Sequence, residues 1–117
     1  MSIRRVVPNL KSDRFDESRK FYTEFLGFNV AMDMGWVVTF ASPSNPTAQV
    51  TLLGESNSAA PHPHISIEVA DVDALHAKAV ARGLQIVYPL TDEPWGARRF
   101  HVVDPNGIVI NVMSHRT

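Results

Sequence analysis

The sequence predicts an α+β protein made of two βαβββ units, and three observations predict it. Strand-like and helix-like runs occur in the same order twice along the chain. Each helical run is closed by a glycine, Gly27 in the first half and Gly83 in the second. Strands in both halves alternate an apolar row with a mixed one, as a sheet does when one face lies against a helix. A short helix covers only that face and leaves the other for something else.

Residues 3–10 read as the first strand. Asp13 stands where a helix cap is needed, and Asp16 and Glu17 follow in the first turn, where the helix dipole favours them. Phe15, Tyr22, Phe25 and Leu26 then recur at helical spacing until Gly27. Runs at 28–33, 36–41 and 47–53 predict three strands, separated by Met34-Gly35 and by the turn-rich Ser42-Pro43-Ser44-Asn45-Pro46. Residues 54–63 are polar, small and proline-bearing, which predicts a linker.

The order then repeats. Residues 64–70 form a strand, Asp71 caps a helix carrying Val72, Leu75 and Ala79, and Gly83 ends it. Runs at 85–90, 98–103 and 108–113 give three more strands. The last two are joined by Asp104-Pro105-Asn106-Gly107: Asp104 starts the turn, Pro105 presets its φ, and Gly107 supplies a positive φ. Placing Val7 over His64 also sets Leu10 over Ile67 and Phe15 over Val72. One domain over 1–117 is expected, with an internal repeat of 1–53 and 64–117.

Strand parity assigns the faces. Ile65, Ile67 and Val69 alternate with His64, Ser66 and Glu68; Ile108, Ile110 and Val112 alternate with Val109, Asn111 and Met113. In the first strand Pro8 and Leu10 alternate with Val7, Asn9 and Lys11. The apolar row is expected on the helix. The mixed row, with His64 and Asn111, is expected to line a concave surface of the kind that binds small ligands.

Composition removes several function classes. The chain has 44% apolar and 20% charged residues and a net charge of −1, the profile of an ordinary soluble domain. Basic residues adjoin only at Arg4-Arg5 and Arg98-Arg99, too few for a nucleic-acid face. No apolar run reaches membrane-spanning length and no charged-then-apolar leader precedes Arg4, so no membrane partner is expected. Cysteine is absent, which excludes disulfides and thiol catalysis; a cytoplasmic location is expected. There is no Ser-His-Asp set, phosphate loop or nucleotide fingerprint.

The chain resembles the vicinal oxygen chelate superfamily, which holds glyoxalase I, fosfomycin-resistance proteins, extradiol dioxygenases and bleomycin-resistance proteins. The resemblance is carried by Phe21-Tyr22 with Leu26-Gly27-Phe28, by His64-Ile65-Ser66-Ile67-Glu68-Val69, and by Asp71-Val72-Asp73 with Gly83. Pro94-Trp95-Gly96-Ala97-Arg98, Phe100 and Asp104-Pro105-Asn106-Gly107 complete it. In metal-dependent members this resemblance implies a His or Gln on the first strand, a His on the fifth and a Glu on the last, holding a divalent ion that polarises a substrate oxygen. Carried over, those positions are Val7, His64 and Asn111, of which only His64 is an ordinary ligand. Gln49 or Thr51 on the fourth strand adds at most an amide or hydroxyl oxygen. The departure resembles the metal-free bleomycin-resistance branch, whose members sequester ligands in crevices of a homodimer.

The resemblance therefore implies a homodimeric small-molecule binding protein with no metal or other cofactor, taking a partly aromatic ligand. Trp36, Phe40 and Trp95 are its candidate walls, and His64, Arg98 and Asn111 its candidate polar contacts. The alternatives are a metal-dependent lyase, isomerase or dioxygenase of the glyoxalase type using His64 with non-standard ligands, and a structural dimer module. Either Arg98 or Arg99 is expected to anchor an anion while the other braces the Asp104 turn. Trp95 is equally a candidate for packing on its turn. Glu68 is weighed as a base against an ordinary solvated carboxylate, and His101 and His115 are expected at the surface or at strand ends. His62-x-His64-x-x-x-Glu68 also matches part of a cupin metal motif, which the capped helix after Asp71 argues against.

Overall fold

In the computed structural model, residues 2–54 and 62–115 are described; most of the linker expected over 54–63 lies outside them. The observed order is β1 (Ile3–Lys11), α1 (Phe15–Lys20), a π-helical turn (Phe21–Phe25), β2 (Asn29–Asp33), β3 (Val37–Ala41) and β4 (Gln49–Leu53). After the linker come β5 (Ile65–Val69), α2 (Val72–Ala81), β6 (Ile86–Asp92), β7 (Ala97–Val103) and β8 (Val109–His115). The βαβββ order thus occurs twice, as the sequence predicts. The chain divides into two compact units, Val7–Asn57 and a second made of Met1–Val6 with Ser58–Thr117.

In the first unit the strand order is β2-β3-β4-β1, with β4 parallel to β1 and the other neighbours antiparallel. Its core is Val38, Phe40 and Leu52, packed by Phe15, Tyr22 and Phe28. The entry to α1 differs from expectation. Arg14, not Asp13, holds the cap position, and the Ser12 hydroxyl accepts the Arg14 N–H at 3.0 Å. The helix then widens, with Leu26 N–H bonding to Phe21 C=O at 3.1 Å, a five-residue reach. That extra residue per turn rotates the side chains beyond it. Tyr22 stacks on Phe40, whereas Phe25 and Leu26, expected on the buried stripe, are exposed. In β1 the parity is also reversed in burial: Val7 and Asn9 are buried and Leu10 is exposed.

In the second unit the order is β5-β8-β7-β6, and the opening of β1 belongs with it, as Ala70 N–H bonds to Ser2 C=O at 3.0 Å. Val69, Val72, Ala79, Phe100 and Val112 form the core, with Ile67, Leu75, Ile86, Val102 and Ile110 against it. These are the apolar rows, and α2 covers them. Asp71 caps α2, accepting the Ala74 N–H at 3.0 Å, and Gly83 ends it at φ +66°. The β7–β8 turn forms as expected: Asp104 Oδ1 accepts N–H bonds from Asn106 and Ile108, and Gly107 sits at φ +81°. Among the described residues no helix is long and apolar enough to cross a membrane.

Candidate functional site

The face of the second unit away from α2 is built by register. β5 pairs with β8 to set Ser66 beside Asn111; β8 pairs with β7 to set Asn111 beside His101; β7 pairs with β6 to set His101 beside Tyr88. One row of polar side chains therefore crosses four strands. The next row holds Glu68, Met113 and Arg99.

Within the first row, Asn111 Nδ2 donates to Ser66 Oγ at 3.0 Å. Asn111 is 5% exposed and its Oδ1 has no hydrogen-bond partner among the described residues. His101 is fully buried, and neither ring nitrogen has such a partner. Burial, with the Arg99 charge beside it, pushes the imidazole down to about 4, so it is neutral at pH 7. The Tyr88 ring lies 4.8 Å from it, tilted by 34°. His101, expected at the surface or at a strand end, is thus the most buried titratable group of this face and lies within β7. The sequence carries a signal for it: counting back through the Asp104–Gly107 hairpin sets His101 opposite Asn111.

The second row is ionic. Glu93 receives Arg99 Nη2 at 2.6 Å and the Tyr88 hydroxyl at 3.2 Å, and the Arg99 guanidinium lies over the rings of Tyr88 and Trp95 at 5.0 and 5.3 Å. Trp95 thereby packs on Arg99, and the residue stays 43% exposed. Glu68 is not a solvated carboxylate. Burial raises its pKa, but bonds from His115 and Arg5, both at 2.7 Å, outweigh this and hold it below the usual range. His115 is the exposed member of that trio.

The remaining candidates are placed elsewhere. Arg98 faces the α2 side, donating to Asp73 at 2.8 Å and to Asp92 at 3.2 Å, so it clamps the first turn of α2, away from the row of Asn111 and His101. Neither arginine braces the Asp104 turn: backbone N–H groups do so, and they depress the Asp104 carboxyl. Phe40 is fully buried on the helix side of the first unit and is no pocket wall. Trp36, in the same unit, is partly exposed at the entry to β3, and its C=O accepts the Gly54 N–H at 2.7 Å. His64 is exposed at the opening of β5, where its Nδ1 accepts the Val109 N–H at 3.2 Å.

That bond bears on metal binding. It engages the Nδ1 lone pair, leaving His64 at most Nε2 to offer an ion. Val7 is apolar, and Asn111 supplies only a neutral amide oxygen in place of a carboxylate. The residues at these positions do not fit a divalent ion, which wants imidazole lone pairs and carboxylates. Among the described residues no group of three or more His, Asp or Glu side chains gathers as a metal centre.

Comparison with known proteins gives the same architecture. A member of the glyoxalase/bleomycin resistance protein/dioxygenase superfamily from Vibrio splendidus 12B01 superposes with a TM-score of 0.72 at 21% identity, over 97% of this chain and 99% of that one. A methylmalonyl-CoA epimerase from Streptomyces coelicolor, in complex with 2-nitronate-propionyl-CoA, gives 0.75 at 18% identity over 99% and 100%. A Mn(II)-bound glyoxalase from Novosphingobium aromaticivorans gives 0.65 at 19% identity, over 97% of this chain and 37% of that one. At such identities the likeness is one of fold. No curated protein matches the chain significantly. The family model for the glyoxalase/bleomycin resistance protein/dioxygenase superfamily matches residues 6–112, and the chain belongs to that superfamily.

Proposed function

We propose that the protein binds a small, partly aromatic molecule without a metal ion, on the face of the second unit away from α2. The observation that carries this is the row Ser66, Asn111, His101 and Tyr88, which holds a neutral imidazole and buried atoms with no partner among the described residues. Aromatic contact comes from Tyr88 and from the partly exposed Trp95, both of which lie against Arg99. Binding as a homodimer belongs to the same proposal, supported by the exposed apolar side chains Phe21, Phe25 and Leu26.

The test is a thermal-shift series with Mn²⁺, Ni²⁺, Zn²⁺ and Fe²⁺ on wild type and on His64→Ala. A specific ion at a hundred times its Kd stabilises by about 2.7 kcal/mol, a shift of several degrees. No shift is expected, and chelator-treated protein should keep its ligand affinity. A metal-dependent shift lost in His64→Ala would favour a glyoxalase-type enzyme instead.

A further inference from the structure

The two units place three residues identically on the faces opposite their helices. In the first, Asn9, Thr51 and Thr39 stand side by side on β1, β4 and β3. In the second, Ser66, Asn111 and His101 do so on β5, β8 and β7. In the first trio the two threonines satisfy each other, their hydroxyls bonding at 2.9 Å. The equivalent pair in the second does not: Asn111 spends its N–H on Ser66, and its Oδ1 and both nitrogens of His101 have no hydrogen-bond partner among the described residues. A buried polar atom left unpaired is costly, and such groups persist where function requires them.

From this asymmetry the geometry points to His101 and Asn111 as a hydrogen-bonding station for a neutral ligand group that both donates and accepts, an amide or a hydroxyl. The inference rests on the binding function proposed above and names the ligand chemistry. Asn111 Oδ1 only accepts, so it needs a donor. A neutral imidazole offers one N–H and one lone pair, so it needs one of each. A carboxylate or phosphate has acceptors only; it meets the Oδ1 lone pairs head-on, and its charge must enter a buried site. The ring of Tyr88 beside His101 is suited to the flat part of the same molecule.

The experiment uses the full chain, labelled with ¹⁵N at histidine side chains and asparagine amides, titrated with benzamide, phenol, benzoate and toluene at matched millimolar concentrations. Benzamide or phenol is expected to shift the His101 ring nitrogens and the Asn111 amide, and benzoate and toluene to bind at least about tenfold more weakly. His101→Phe with Asn111→Leu should lose that preference while raising the melting temperature, because removing the unpartnered ring nitrogens and Asn111 Oδ1 outweighs the lost Asn111–Ser66 bond. The single change His101→Gln, which keeps a donor and an acceptor, should keep part of it. Three results would overturn the station: equal binding of benzoate, no movement of the His101 signals with any probe, or a double variant that folds but melts lower, as expected if the pair is bridged by structural water alone. Toluene or benzoate quenching Trp95 with His101 unmoved would overturn the station while leaving the binding function standing.

Discussion

His101 shows how much one side chain's protonation can weigh on the folded state. Its folded pKa of about 4 lies below the ordinary 6.5, so between these values the unfolded chain takes up a proton that the folded chain refuses. Stability is therefore full above pH 6.5 and falls as the pH drops towards 4, by up to about 3 kcal/mol. Urea unfolding at pH 7 and pH 4 should show a smaller loss for His101→Phe than for wild type, by about that amount; equal losses would place the acid sensitivity elsewhere. Glu68 and Asp104, also depressed, contribute to both proteins alike and lower in pH. At this scale the sequence is only partly legible. Parity marks Asn111, whereas Phe40, a wall candidate by resemblance, is buried along with Val37, Val38 and Thr39, so burial in that strand does not alternate. The division between Arg98 and Arg99 follows from strand alternation, yet their partners Asp73 and Glu93 are chosen by tertiary placement that no local pattern carries.

At the scale of elements the two helices make a useful contrast. α2 carries its own start and stop signals in Asp71 and Gly83, and the structure uses both. Asp71→Ala should cost about 1 kcal/mol in chemical unfolding, since it frees the Ala74 N–H; a change near zero would mean that the Arg98–Asp73 clamp alone secures the turn. The first helix is legible in place but not in phase. Nothing in Phe21-Tyr22-Thr23-Glu24-Phe25 announces the π turn, within which Tyr22 stacks on Phe40 at 5.1 Å. Phe25, in the same turn, is exposed. The strands and the Asp104–Gly107 hairpin are legible because alternation and turn chemistry are local properties.

For the whole molecule, the repeated βαβββ order and the motifs spread along the chain are enough to reach the superfamily. The compact units do not coincide with the sequence repeat, because β1 contributes its opening to the second unit and its remainder to the first. A continuous strand hides such a division from any reading of composition. Self-association is a whole-molecule property, and sedimentation velocity at micromolar concentration should report a species of twice the 13.0 kDa chain mass. Phe25→Glu should return it to the monomer if the exposed aromatic patch is the interface; a wild-type monomer across the concentration range would remove the dimer.

The closed threonine pair of the first unit has a consequence for how such a chain can change. A protein assembled from two like units can keep a pair of positions in one of them mutually satisfied, here Thr39 and Thr51, while the equivalent positions in the other stay adjustable. Residues 101 and 111 alternate away from Phe100 and Val112, which the helix-side core holds. Exchanging their polarity would retune which molecules are recognised without disturbing the residues that secure the fold, so a new preference lies few substitutions away.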